Sequence, residues 1–230
     1  MKILAHRGNL AGPDPAGENS LARVGEALAL GYGLETDVRY APQRGFYISH
    51  DPAPPTADSL LAAHCALWRR HPEAMVALNV KELGQERALL EALNALRVVP
   101  QLFLFDMELI EPRAGETARL YRRFDAAVAI AARVSDRGEP IERALDIEVA
   151  SVVWLDEFDG PWATADTVGR LQAAGKAVFA VSPELHGRPL EAMEARWRDF
   201  AAWGVDGICT DWPVRLAGRL AGRVVDNGRI

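Results

Sequence analysis

The stretch GLETDVRYAPQRGFYIS, residues 33–49, decides the fold of this chain. Its two ends, 33–38 and 46–49, are short apolar segments of the kind that form buried strands. Only about seven residues, 39–45, separate them. A crossover between parallel strands needs about a dozen residues, and the proline and glycine in this interval favour a turn. We therefore expect 46–49 to extend the strand 33–38 as a hairpin.

The rest of the chain alternates short apolar segments with helical patterns. Apart from 46–49, the segments expected as strands are 2–6, 33–38, 75–80, 101–105, 126–131, 151–155, 177–181 and 206–210. Apolar residues recur at helical spacing over 18–31, 57–71, 84–97, 164–175 and 189–204. Eight strands with helical or long connections are the count of a (β/α)₈ TIM barrel.

We therefore expect one α/β domain over 1–230, a TIM barrel with a short hairpin extension after the second strand and a peripheral tail at 222–230. A doubly wound open sheet is the alternative. Such a sheet usually carries a glycine-rich GxGxxG loop after its first strand, and this sequence has none there.

Composition and charge narrow the class of protein. Hydrophobic residues make up 49% and charged residues 25% of the chain, which is typical of a globular protein. The net charge of −6 argues against binding nucleic acid by bulk attraction. Cys65 and Cys209 lie far apart without zinc-site spacing, so we expect buried free thiols in a reducing compartment. Neither a signal-peptide core nor a membrane-spanning run is present, which predicts a cytoplasmic location without membrane insertion.

Polar residues gather where the predicted strands end. In a barrel of this type the carboxyl ends of all strands meet at one rim, and active sites lie there. The polar and aromatic residues at this rim include His6, Arg7, Glu35, Asp37, His50, Asn79, Lys81, Asp106, Arg133, Trp154, Asp156, Glu184 and Asp211. The opposite ends of the strands carry few such groups, and this asymmetry predicts an enzyme.

Glu35 and Asp37 are two residues apart on one predicted strand, so both side chains point to the same face. Two carboxylates on one face repel each other unless a cation or a proton lies between them. Carboxylate oxygens suit Mg²⁺ or Ca²⁺. The alternative is solvent-exposed charge on an edge strand. Because a closed barrel has no free edge, we favour the metal interpretation.

His6 and His50 are candidates for proton transfer, since an imidazole with an ordinary pKa of about 6.5 suits general acid–base catalysis. Arg7 and Lys81 offer permanent positive charge for an anion, and arginine grips phosphate in bidentate fashion. The alternatives are structural histidines and surface salt bridges, and the second fits poorly with Lys81 at the end of an apolar strand.

Arg133 and Trp154 are further candidates for substrate contact. Arg133 follows the fifth barrel strand as predicted, and Trp154 lies near the end of the sixth. An indole at the rim can stack on a substrate or shield a cationic group. The alternative for Trp154 is packing between the barrel and its helices.

These motifs, in this order, resemble the glycerophosphodiester phosphodiesterase family, whose (β/α)₈ barrels are related to phosphatidylinositol-specific phospholipases C. The family pattern is His-Arg-Gly, Pro-Glu-Asn-Ser/Thr, Glu-x-Asp, His-Asp, Glu-x-Lys and Thr-Asp-x-Pro. This chain reads HRG (6–8), GENS (17–20), ETDV (35–38), SHD (49–51), NVK (79–81) and TDWP (210–213). Each motif alone is weak, whereas the ordered set is specific and spans nearly the whole chain.

The resemblance implies a metal-dependent phosphodiesterase that hydrolyses a small phosphodiester to an alcohol and a phosphomonoester of the glycerol 3-phosphate type. It implies one divalent cation, Mg²⁺ or Ca²⁺, on Glu35 and Asp37. It also implies acid–base roles for His6 and His50, and phosphate binding by Arg7 and Lys81. The implied partner is the small-molecule substrate alone.

Two departures from the family pattern bear on the site. Asn79 stands where the family usually has a metal-binding Glu. Its amide oxygen can coordinate a cation with one charge fewer, or Asp106, Asp156 or Glu184 takes over as ligand. The large insertion usual after His-Asp is absent at His50-Asp51, which leaves the site open or covered by the 184–189 loop.

Two alternatives to a hydrolase remain open in the sequence. One is a barrel that binds a phosphate ligand without catalysis, with Asn79 marking the loss of metal. The other is a lyase on the same scaffold that closes a cyclic phosphate. The intact set of histidines, carboxylates and cations argues against the first, and the sequence does not separate the second from a hydrolase.

Overall fold

Eight parallel strands form a closed ring in the computed structural model, which describes residues 1–222. The strands of the chain are β1 (Lys2–His6), β2 (Gly33–Ala41), β3 (Gly45–Ile48), β4 (Val76–Val80), β5 (Leu102–Phe105), β6 (Ala129–Val134), β7 (Val152–Leu155), β8 (Ala177–Val181) and β9 (Gly207–Thr210). The order around the ring is β1-β9-β8-β7-β6-β5-β4-β2, and β2 closes it by pairing with β1. The predicted TIM barrel is confirmed. Apart from Gly222, the predicted tail lies outside the described residues.

Strand β3 lies outside the ring. It pairs antiparallel with β2 alone, with Val38 opposite Ile48 and Ala41 opposite Gly45. The predicted hairpin extension is therefore confirmed, although β2 runs three residues further than the predicted 33–38. Between β3 and β4 the chain forms a loop and one short helix, Leu61–Trp68, so no large insertion follows His50-Asp51.

Eight α-helices occupy the connections within the described residues. They are α1 (Leu21–Ala29), α2 (Leu61–Trp68), α3 (Glu86–Ala95), α4 (Glu116–Phe124), α5 (Ile141–Asp146), α6 (Ala165–Ala173), α7 (Leu190–Trp203) and α8 (Pro213–Leu220). The five predicted helices correspond to α1, α2, α3, α6 and α7, each with shorter ends. None of the predicted helices corresponds to α4, α5 or α8. In the part of the chain that the structure describes, no helix is long and apolar enough to cross a membrane.

Strand β6 begins and ends three residues later than the predicted 126–131. The alanine-rich sequence gives no clear start, and Arg133 suggests the end of an apolar strand. The structure instead places Arg133 inside β6, opposite Trp154 of β7 and 4% exposed. A charged residue can occupy a buried strand position when carboxylates surround it, as they do here.

Two apolar clusters hold the barrel together. The larger one lies between the strands and the surrounding helices. The smaller one fills the barrel interior, where aromatic rings pack closely: the Phe103 and Phe179 centroids are 5.1 Å apart, and those of Phe105 and Trp154 are 4.4 Å apart. Cys65 and Cys209 are both buried and free, which confirms the expectation of free thiols.

Gly33 lets the ring close. A Cβ atom at this position would lie 2.5 Å from Cδ2 of Leu4 on β1 and 2.6 Å from the carbonyl oxygen of Met75, just before β4. Both distances are shorter than packed atoms tolerate, so a side chain here would push β2 away from its two neighbours.

The buried His64 on α2 makes the stability of the fold depend on pH. It is fully buried, with its ring 6.2 Å from that of Trp68. Burial disfavours the charged imidazole and lowers the pKa of His64 to about 4. Between about pH 6.5 and 4 the unfolded chain therefore binds a proton that the folded chain does not, and stability falls as the pH falls through this window.

Between pH 6.5 and 4, we expect the free energy of unfolding to fall in the parent chain by up to about 3 kcal/mol more than in His64→Leu. The measurement is urea unfolding at several pH values, and His71→Leu, three residues beyond α2, is the control. A His64→Leu variant that declines as steeply as the parent would contradict this account of His64.

Candidate active site

One cavity of about 360 Å³ opens at the carboxyl ends of the barrel strands. All nine residues predicted for the site line it: His6, Arg7, Glu35, Asp37, His50, Asn79, Lys81, Arg133 and Trp154. A larger neighbouring cavity of about 590 Å³ lies between the start of α1 and the loop after β3, and it shares Arg7 and His50 with the first. The structure thus brings the predicted residues together, while their chemical roles stay predictions.

The register of the barrel strands sets these residues side by side. His6 of β1 lies opposite Glu35 of β2. Asp37, two residues further along β2, lies opposite Asn79 of β4. Both carboxylates of β2 thus face the same cavity, as the spacing of two predicts. Glu35 is 4% and Asp37 is 1% exposed, so the alternative of exposed edge charge is wrong.

A sharp turn follows His6. Arg7 has φ of 51° and Gly8 has φ of 84°, both in the left-handed region. The Arg7 N–H still continues the strand ladder by donating to the Glu35 carbonyl at 2.9 Å. A Cβ on Gly8 would lie 3.1 Å from the backbone nitrogen of Val24 in α1. The turn is thus pressed against this helix, and glycine permits the approach.

Asp211 orients the His6 ring. His6 Nδ1 lies 2.7 Å from Asp211 Oδ1, and the buried Asn9 amide donates to the same oxygen at 2.7 Å. His6 Nε2 lies 3.8 Å from Glu35 Oε2, too far for a hydrogen bond, and both side chains line the cavity. Burial alone would lower the pKa of His6. The hydrogen bond to Asp211 and the charge of Glu35 outweigh burial, and the net pKa is raised.

Two cations neutralise Asp37. Lys81 Nζ lies 2.9 Å from its Oδ1, and Arg7 Nε lies 3.3 Å from its Oδ2. The Asn19 amide donates to Oδ2 at 3.3 Å. Burial on its own would raise the pKa of Asp37, but Lys81 and Arg7 outweigh it, so the pKa is lowered and the group stays ionised. Glu18 accepts a hydrogen bond from Arg7 Nη1 at 2.9 Å and fixes the other end of that guanidinium.

Glu35 is the carboxylate without such compensation. Its Oε2 is buried and has no hydrogen-bond partner within the described residues. Burial and the nearby charge of Asp37 raise the pKa of Glu35 to about 8. A buried carboxylate oxygen without a partner is costly. A bound cation would relieve that cost, and a hard divalent cation matches such an oxygen.

Asn79 can present its oxygen to the same cation. Its amide nitrogen donates to Asp106 Oδ2 at 2.8 Å, which leaves the amide oxygen free. No cluster of three or more His, Cys, Asp or Glu side chains with metal-binding geometry occurs among residues 1–222. The predicted donor set of Glu35, Asp37 and Asn79 offers two carboxylates and one amide. These hard oxygen donors fit Mg²⁺ or Ca²⁺ in chemistry.

Of the three predicted substitutes for Asn79, two line the cavity, and all three have partners within the protein. Glu184 is absent from the cavity lining and accepts hydrogen bonds from Ser182, Thr210 and the backbone N–H of Asp211. Asp106 and Asp156 do line the cavity, but both bind Arg133. The 184–189 loop contributes Leu185 and His186 to the cavity wall.

Arg133 is held by three carboxylates. Its nitrogens lie 2.6 Å from Asp106, 2.5 Å from Asp156 and 3.1 Å from Glu139, and Phe158 lies against the guanidinium at 4.9 Å. Few donors remain for a phosphate, so phosphate binding by Arg133 stays a prediction. Trp154 is 4% exposed, and substrate stacking on its ring likewise stays a prediction.

His50 lies at the cavity mouth, on the loop after β3. Its side chain is 43% exposed, with Nδ1 3.0 Å from Asp51 Oδ1. Two nitrogens of Arg39 donate to the His50 carbonyl at 2.9 and 2.6 Å and fix the backbone there. Partial burial and the positive charge of Arg7 lower the pKa of His50.

The supporting residues were not assigned functional roles from the sequence. Asn9, Glu18 and Asn19 come from the loop before α1, and Asp211 comes from the end of β9. Asp211 follows His6 by 205 positions. The motifs GENS and TDWP contain Glu18, Asn19 and Asp211, and Asp211 was also expected at the rim, but neither signal indicates which residue each one contacts.

The fold and the cavity define a TIM-barrel protein with a charged site at the carboxyl ends of its strands. No protein-family model matches the sequence, and no curated protein matches it. Solved structures do share the fold. A candidate glycerophosphodiester phosphodiesterase from Galdieria sulphuraria has a TM-score of 0.75 and 17% identity, covering 96% of this chain and 97% of that one.

Two further solved structures share the fold of this chain. A glycerophosphoryl diester phosphodiesterase from Parabacteroides distasonis has a TM-score of 0.71 and 16% identity, covering 98% of this chain and 88% of that chain. An Oleispira antarctica phosphodiesterase was solved in complex with the product sn-glycerol-3-phosphate. It has a TM-score of 0.67 and 16% identity, and the match covers 96% of this chain and 97% of that chain. At these identities the likeness shows a common fold, and it agrees with the motif resemblance.

We expect Asp211→Asn to lower the pKa of His6 relative to the parent chain, because the substitution removes the negative partner of Nδ1. The measurement is an NMR titration of the His6 ring protons. The control is Asp199→Asn, which alters an exposed carboxylate on α7. An unchanged His6 titration in Asp211→Asn would contradict the orienting contact.

Proposed function

We propose that this protein is a metal-dependent phosphodiesterase that hydrolyses a glycerophosphodiester, or a similar small phosphodiester, to an alcohol and a phosphomonoester. One observation carries the proposal: the nine residues chosen from separate parts of the sequence all line a single cavity. The fold shared with three phosphodiesterases supports it.

Arg7 and Lys81 are the proposed phosphate-binding groups. Both line the cavity, and both side chains are 19% exposed. They are held near Asp37 before any ligand arrives, so their charges need little rearrangement when an anion binds. Preorganised cations of this kind stabilise the extra negative charge of a phosphoryl transition state.

His6 and His50 are the proposed proton-transfer pair. In hydrolysis, the attacking oxygen gives up a proton as its bond to phosphorus forms. The oxygen of the departing alcohol gains a proton as its bond to phosphorus breaks. Two imidazoles lining one cavity can serve these two transfers. Asp211 fixes the His6 ring by its Nδ1, which leaves Nε2 as the atom that exchanges the proton.

Glu35, Asp37 and Asn79 are the proposed holders of one divalent cation, Mg²⁺ or Ca²⁺. The unpartnered oxygen of Glu35 supports this assignment. When bound, such a cation would neutralise charge on the phosphate and increase the acidity of an attacking hydroxyl.

The test is hydrolysis of a panel of glycerophosphodiesters by chelator-treated protein, with Mg²⁺ or Ca²⁺ added back and both glycerol phosphate and cyclic phosphate followed. We expect metal-dependent turnover that falls at least 100-fold in His6→Ala, the scale of a lost proton-transfer group. His71→Ala is the matched control outside the cavity.

Three other outcomes of this assay would favour a different function or contradict the mechanism. Cyclic phosphate as the final product would favour a lyase over a hydrolase. Binding of phosphate ligands without turnover would favour the non-catalytic barrel. Full activity in His6→Ala would contradict the proposed acid–base pair.

A second prediction concerns the metal ligands. We expect Glu35→Gln to weaken Mg²⁺ or Ca²⁺ binding by roughly tenfold or more, because it removes a charge from the donor set. Asn79→Ala removes a neutral donor, so its effect should be smaller. Titration calorimetry on chelator-treated protein measures both affinities, with Glu82→Gln as a control outside the cavity. Unchanged affinity in both cavity variants would place the cation elsewhere.

A further inference from the structure

A histidine that the proposed reaction does not use lines the same cavity as Arg7 and Lys81. His186 ends the 3₁₀ turn Pro183–His186 that follows β8, and its side chain lines the cavity. Its Nε2 lies 2.5 Å from Asp156 Oδ1. Its Nδ1 has no hydrogen-bond partner among residues 1–222, yet it is not a buried atom. This nitrogen is therefore accessible to a ligand.

Asp156 holds the His186 ring in one orientation. Asp156 Oδ2 accepts from Arg133 at 2.5 Å, and Oδ1 also accepts from the Glu157 N–H at 2.8 Å. Arg133 is fixed in turn by Asp106 and Glu139. Because Asp156 can only accept as a carboxylate, Nε2 of His186 carries the hydrogen. In the neutral ring, Nδ1 is then a hydrogen-bond acceptor.

His186 lies in a cavity wall that carries both charged and apolar side chains. The Phe158 ring lies 4.5 Å from the His186 ring, and Leu185, Phe105 and Trp154 line the same cavity. A ligand that covers Nδ1 without offering a hydroxyl would leave this acceptor unpaired, so the position discriminates between ligands with and without a hydroxyl there. The cavity volume of about 360 Å³ leaves room for a short polyol.

We propose that His186 is a specificity-determining residue whose Nδ1 accepts a hydrogen bond from a free hydroxyl on the glycerol arm of the substrate. The second alcohol of the diester then extends past His50 into the larger neighbouring cavity, which shares that residue. This inference rests on the proposed function, since it requires a phosphate bound at Arg7 and Lys81.

The experiment compares two phosphomonoesters that differ only in hydroxyl groups, sn-glycerol 3-phosphate and propyl phosphate. Calorimetry measures their affinities for the parent chain, His186→Phe and His186→Gln. We expect the parent to prefer glycerol 3-phosphate by about tenfold, the scale of one hydrogen bond. His186→Phe keeps an aromatic ring against Phe158 but lacks an acceptor, so the preference should disappear. His186→Gln keeps a donor and an acceptor and should retain part of it.

Controls separate this role from a structural one. His71→Phe makes the same substitution outside the cavity and should keep the parent preference, and melting temperatures report folding. If His186→Phe does not fold, His186→Leu replaces it. Equal loss of affinity for both ligands, or an unchanged preference, would overturn the role of His186.

The parent chain distinguishes the two proposals. Binding of both ligands with equal affinity would overturn the role of His186 and leave the phosphate site in place. Binding of neither ligand would overturn both.

Discussion

The pairing of β1 with β2 is the contact on which the site depends. It closes the ring and brings His6 beside Glu35, residues that 28 intervening positions separate in the chain. Because side chains alternate along a strand, a shift of one residue would turn Glu35 and Asp37 away from the cavity together. The close approach at Gly33 maintains this register. Closure of the barrel and assembly of the site are thus one event.

Charge balance follows from that register. Within a small volume, the cations Arg7 and Lys81 meet Asp37, and His6 meets Asp211. Oε2 of Glu35 and Oδ1 of Asp37 both lack a hydrogen bond, but Oδ1 lies 2.9 Å from Lys81 Nζ, whereas the nearest cationic partner of Oε2 is His6 Nε2 at 3.8 Å. Arg133 similarly offsets the carboxylates on the other side of the ring. Most of the charge in the cavity is thus compensated by protein, and the uncompensated part is confined to one carboxylate.

The barrel and the cavity-lining residues were predictable because both depend on local sequence. Buried parallel strands are short apolar runs, and their ends carry the polar groups. The start and end of β6 were not predictable, because the burial of Arg133 depends on Asp106, Asp156 and Glu139 from other parts of the chain. The charged helix α4 has few apolar residues to reveal it.

The residues that orient the site were harder to identify for the same reason. Asp211 orients His6 and Asp156 orients His186 across separations of 205 and 30 positions, and no spacing rule predicts either contact. These contacts depend on where the loops after the strands lie in the folded structure. Sequence reasoning therefore identified the groups that face a ligand better than the groups that fix them.

The left-handed backbone of Arg7 has a consequence for engineering this chain. A residue with a Cβ atom pays roughly 1 kcal/mol or more to adopt this conformation, whereas glycine adopts it freely. A library selected only for thermal tolerance would therefore favour glycine at position 7, and each such gain would discard a cation from the cavity. At position 7, a substitution that raises thermal stability removes a cation that could bind a ligand. A stabilised version of this protein should therefore keep Arg7 and carry its stabilising substitutions at other positions.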